Sequence, residues 1–157
     1  MVSFMPSWNV HEKYCRLMGI SIDVCRDVNK LVDDVRWHDF FDGMLSRSET
    51  PVLRVLGGRI VMYNFYSSTL YTNQQLRKWL EERGEDAFKA FFLHMFLDLI
   101  ERNMRSGKGF AMLIVNDIHG LYREYVEGIE DFINSKIDEI MKDIAAYIQS
   151  KKNRRRH

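Results

Sequence analysis

Apolar residues recur at three- and four-residue steps along most of this chain, the period of a helix with one buried face. The strongest run lies between Asp86 and Met104, where Phe88, Phe91, Phe92, Met95, Phe96, Leu99, Ile100 and Met104 share one side. RSGKG (105–109) then supplies a basic last turn and a glycine stop. The spacing returns in Ile129, Phe132, Ile133, Ile137, Ile140, Met141, Ile144 and Ile148, with acids and lysines opposite. NVHEKYCRLM (9–18) and ISIDVCRDVNKLVDDV (20–35) predict two helices parted at Gly19, with Ser21 at the cap of the second. TNQQLRKWLEERG (72–84) predicts a short helix capped by Thr72 or Asn73 and ended by Gly84. FAMLIVNDIHGLYREYV (110–126) starts apolar nearly all round, which predicts a buried central helix.

One stretch breaks the period. In PVLRVLGGRIVMYNF (51–65) two β-branched runs flank Gly57-Gly58, the pattern of a two-residue hairpin turn. Its rival, a helix through both glycines, costs about 1 kcal/mol per glycine against alanine. The expected fold is all-α: a single-domain bundle of about five to seven helices over 1–150, with a short hairpin near 52–63. Residues 151–157 are expected to form a basic disordered tail.

Composition narrows the picture. Of 157 residues, 46% are hydrophobic and 13% aromatic, with two prolines, which is a folded composition. The net charge of +1 hides an asymmetry: KKNRRRH (151–157) carries +5, leaving −4 for residues 1–150. Attraction to a polyanion therefore belongs to the tail, as weak, non-specific nucleic-acid contact through 151–156. No apolar run approaches the roughly 20 residues that span a bilayer, and the N-terminus lacks a signal-peptide pattern. Two cysteines, Cys15 and Cys25, read as buried free thiols in a reducing, cytoplasmic setting.

Candidate chemistry rests on histidines and carboxylates. RWHDFFDG (36–43) holds the contiguous pair His38-Asp39 beside a Trp-Phe-Phe anchor. If this segment is helical, Trp37, Phe40, Phe41 and Met44 form its stripe and His38 lies on the flank. His11 flanks the stripe Val10, Tyr14, Leu17 and Met18, with Cys15 at i+4 as a conceivable zinc partner alongside Cys25 or His38. His94 and Asp98, at i and i+4, stand about 5–6 Å apart on the edge of the Phe-rich stripe, continued by Glu101. Asp117 shares a face with Phe110, Leu113, Ile114, Ile118 and Leu121. A carboxylate there needs a metal, a basic residue, or hydroxyls such as Tyr63 or Tyr66. His119 falls away from that face. No GxGxxG, P-loop, HExxH or GxSxG pattern is present.

The order His … His-Asp … Asp in a helical chain resembles the HD-domain phosphohydrolases. The resemblance implies that His11 is the first His, His38 and Asp39 the doublet, and Asp98 or Asp117 the final Asp, with His94 an extra ligand or phosphate contact. It further implies a divalent metal ion, a metal-activated water as nucleophile and a phosphate-containing small molecule as substrate. Two residues depart from the pattern, because Phe40-Phe41 follow the doublet where many HD proteins have a small residue and glycine. The alternative is a non-catalytic helical protein, self-associating or binding a protein or nucleic acid through its last helix and basic tail.

Overall fold

The computed structural model describes residues 8–33, 54–56, 59–64, 74–105, 112–115 and 123–156. Among the described residues five helices carry the core: α1 (Trp8–Leu17), α2 (Ile22–Asp33), α3 (Gln74–Arg83), α4 (Glu85–Arg105) and α5 (Arg123–Arg155). Three short strands, β1 (Arg54–Leu56), β2 (Arg59–Asn64) and β3 (Met112–Val115), pair in the order β1-β2-β3. β1 runs antiparallel to β2, with Val55 opposite Ile60, and β2 runs parallel to β3, with Val61 opposite Met112. The parallel pair requires a crossover, and α3 with α4 lie within it.

Residues 112–115 are therefore a strand where periodicity predicted a central helix. A short apolar run is ambiguous between the two, and here pairing with β2 decides it. The buried central helix is α4, which packs against α1, α2, α3 and α5. Ala87, Phe88, Ala90 to Asp98, Ile100 and Glu101 are all buried, so α4 has no solvent face over three turns. His94, Asp98 and Glu101 are consequently interior groups rather than the edge positions that the helical projection suggested.

α1 and α2 form a hairpin closed by a Schellman motif. Ile20 N–H donates to Cys15 O at 2.9 Å and Gly19 N–H to Arg16 O at 3.0 Å, with Gly19 at φ +74°. Ser21 takes the cap position of α2, its carbonyl accepting from Cys25 N–H at 2.9 Å. The hairpin is centred on Ile20, so residues equidistant from it face one another. That places Cys15 and Cys25 at a Cα separation of 6.5 Å, where they form a disulfide. The bridge overturns the reading of two free thiols, and with it the cysteine argument for a reducing compartment. It also removes both sulfurs from any zinc site with His11.

α1 buries Val10, His11, Tyr14 and Cys15, while Leu17, expected in the stripe, is 50% exposed. Tyr14 ties α1 to α5: its hydroxyl donates to Asp143 Oδ2 at 2.6 Å, and Lys13 Nζ reaches the same oxygen at 2.6 Å. Tyr14→Phe is expected to cost about 1.5 kcal/mol, the worth of a hydrogen bond to a charged acceptor. Urea denaturation with an unchanged slope checks it.

In α5 the residues Ile129, Ile133, Ile140 and Ile144 are buried on one face, as the spacing predicted. The helix does not stop there but continues through Arg155, so residues 151–155, expected to be disordered, form its last turns. Lys152, Asn153, Arg154, Arg155 and Arg156 are exposed. No helix among the described residues is long and apolar enough to cross a membrane.

Candidate metal centre

Three helices deliver side chains to one buried point. α1 contributes His11, α4 contributes His94 and Asp98, and α2 contributes Asn29 and Asp33. His11 and His94 are each 1% exposed and Asp98 is 6% exposed. His94 and Asp98 meet because residues four apart on a helix stack on one side. His11 arrives because α1 crosses α4 beside the hairpin.

Asp98 sits between the two imidazoles. Its Oδ1 is 3.4 Å from His11 Nε2 and its Oδ2 is 3.1 Å from His94 Nε2. One donor atom from each residue falls within 4.8 Å of the others. The rings stack with centroids 4.0 Å apart and an interplanar angle of 15°. Asp33 Oδ1 stands 3.7 Å from His94 Nε2, and Asn29 Oδ1 is 2.7 Å from His94 Nδ1.

The electrostatics separate the two histidines. Burial, with the charge of His94 beside it, holds His11 below its ordinary value. Burial also opposes charge on His94, but the Asp98 carboxylate outweighs it and raises this imidazole. For Asp98 the penalty of burial is outweighed by His94 and His11, which hold its carboxyl well below the usual range. The cluster is thus a buried carboxylate between two imidazoles whose basicities are pushed apart, His94 upward and His11 downward.

The donor set suits a metal ion. His11 Nδ1, His11 Nε2, His94 Nε2 and Asp98 Oδ1 are buried without a hydrogen bond among the described residues. Each such atom costs about 1–3 kcal/mol when left unsatisfied. Two imidazoles and a carboxylate are ligands for zinc, iron or manganese. Two donors about 2.1 Å from one tetrahedral ion stand about 3.4 Å apart, close to the separations found here.

The sequence-derived candidates divide cleanly. His11 and Asp98 meet; His94, first assigned a supporting role, is central. His38, Asp39 and Asp117 lie outside the described residues, as do Tyr66 and His119. Asn29 and Asp33 went unnoticed in the sequence, although both lie on α2 and Asn29 mirrors His11 across Ile20. Comparison of the chain with protein-family models, with curated proteins and with solved structures gave no match.

Proposed function

We propose that the chain is a metal-dependent hydrolase of phosphate esters, with His11, His94 and Asp98 holding one divalent transition-metal ion. The observation that carries this reading is the convergence of three buried metal-ligating side chains with four donor atoms unsatisfied among the described residues. The HD-type assignment draws support from His11 and Asp98, which stand at the two ends of the ordered pattern and come within 3.4 Å. In that scheme His38 and Asp39 complete the ligand set. A bound ion would supply Lewis acidity, lowering the pKa of water toward about 7. His94 and His11 would hold it from two helices, and Asp98 would balance its charge. Burial of all three side chains keeps bulk water from competing for the donors.

The test is metal content per chain after incubation with manganese, iron(II) or zinc, followed by a phosphate-ester screen. The wild type is expected to hold about one ion, and folded His94→Ala and Asp98→Asn variants are expected to lose it. Loss in a His38→Ala, Asp39→Ala double variant as well would tie the site to the HD pattern. Retention there would leave a metal site of another kind. A wild-type protein that takes up no metal would sink the reading.

A second reading, a non-catalytic protein docking on nucleic acid, is favoured by one observation. The basic segment is helical through Arg155 and exposed from Lys152 to Arg156, which presents its charges on an ordered rod. Salt-sensitive binding of a DNA duplex, lost when Arg154, Arg155 and Arg156 become Ala, together with absence of metal would establish it instead.

A further inference from the structure

Asn29 is 1% exposed and lies between the disulfide and the histidines. Its Oδ1 is 2.7 Å from His94 Nδ1, and its Nδ2 is 3.8 Å from Cys25 Sγ. The two contacts fix the amide's orientation. A sulfur committed to a disulfide has no hydrogen to donate, so it faces the NH2 end of the amide. The carbonyl end is left toward His94, and a carbonyl only accepts. Nδ1 of His94 must therefore carry a hydrogen and donate it to Asn29 Oδ1.

That hydrogen bond determines what the other ring nitrogen can do. With Nδ1 protonated in the neutral ring, the lone pair resides on Nε2, the atom 3.1 Å from Asp98 Oδ2. We propose that Asn29 is the positioning residue of the metal site. It fixes the tautomer and plane of His94 so that Nε2 faces the ion, and the Cys15–Cys25 bridge fixes the orientation of Asn29 in turn. This inference rests on the metal-site reading and deepens it. Ligating histidines generally donate their second ring N–H to such an acceptor, and loss of the acceptor typically weakens binding 10–100-fold.

The hairpin explains why the parts coincide. Cys15 and Cys25 stand five residues on either side of Ile20, and His11 and Asn29 nine residues on either side. Each cysteine is thus one helical turn from the site residue of its own helix. One crosslink between α1 and α2 holds both the ligand His11 and the residue that orients the ligand His94.

Two variants and two readouts test the proposal. Zinc affinity, measured by chelator competition, is expected to fall 10–100-fold in Asn29→Leu and to be retained in Asn29→Asp, whose carboxylate still accepts from Nδ1. Long-range proton–nitrogen NMR of metal-free wild type is expected to show the His94 hydrogen on Nδ1 bonded to Asn29, and Asn29→Leu is expected to lose that signature. Circular dichroism confirms that each variant folds. Equal affinity in wild type and Asn29→Leu, or an equal loss in Asn29→Asp and Asn29→Leu, would overturn the inference while leaving the metal site standing. A wild type that binds no zinc removes the metal site itself; the NMR signature then still decides whether Asn29 sets the His94 tautomer, and its absence overturns the inference.

Discussion

Phe96→Ala should destabilise the protein by about 3–5 kcal/mol, the usual cost of deleting a fully buried aromatic ring. Phe96 is 0% exposed and lies on α4, the helix with no solvent face over its middle turns. Its helix packs against α1, α2, α3 and α5, so the ring is part of the core that these helices share. For a chain of this length about 2–4 °C of melting temperature accompanies each kcal/mol, giving a drop of roughly 6–20 °C. Leu17→Ala provides the contrast. That side chain is 50% exposed despite its place in the apolar spacing of α1, so its loss should stay within about 0.5 kcal/mol. Calorimetry on the two variants decides the matter, and comparable losses would mean that α1 presents a different face to α4.

Glu101→Gln should stabilise the protein at pH 8 by about 3 kcal/mol and change little at pH 4.5. Glu101 is 0% exposed on α4, one turn beyond Asp98. Its Oε1 accepts from Arg105 Nε at 2.9 Å and Nη2 at 2.7 Å, while Oε2 is buried without a hydrogen bond among the described residues. Burial dominates over Arg105 and pushes the carboxyl from 4.5 up to about 7, with the Asp98 charge adding to the rise. An acid whose folded value lies above its unfolded value keeps its proton longer in the native state. Between pH 4.5 and 7 the native state therefore binds more protons, and the contribution of this group to stability falls as pH rises. Above that window the cost is fully present, at about 1.4 kcal/mol for each factor of ten. Glutamine keeps an oxygen for Arg105 and carries no charge to bury. Urea unfolding at the two pH values reads the difference, and an equal change at both would refute the account.

How much of this was legible in the residues depends on which contacts are local. The α4 and α5 stripes follow from spacing, and Gly19 and Gly84 end helices where the sequence placed stops, each with positive φ. The burial of His94 was not legible. Its helical projection marks an edge, and only the packing of four other helices around α4 turns that edge into interior. The disulfide could have been anticipated, because Cys15 and Cys25 are equidistant from the turn at Ile20. The same mirror relation would have drawn Asn29 to His11. That Asp98 joins His11 could not be read, because it depends on the crossing of α1 and α4, and sequence spacing carries no record of that crossing. Met112 to Val115 failed for a different reason: four apolar residues fit either period, and the partner that makes them a strand is about fifty positions away.

The complete burial of α4 constrains how this molecule can change over generations. A helix with a wet face can vary there without touching its core, but α4 carries Phe91, Phe92 and Phe96 together with His94, Asp98 and Glu101, and over its middle turns it has no such face. A substitution that adjusts the chemistry of the cluster is drawn from the same residues that hold the domain together. Room for variation lies instead on α1 and α2, where Glu12 and Arg26 pair at the hairpin surface and the outward positions are open to water. Divergence of the site would enter through the hairpin, with α4 as the fixed member.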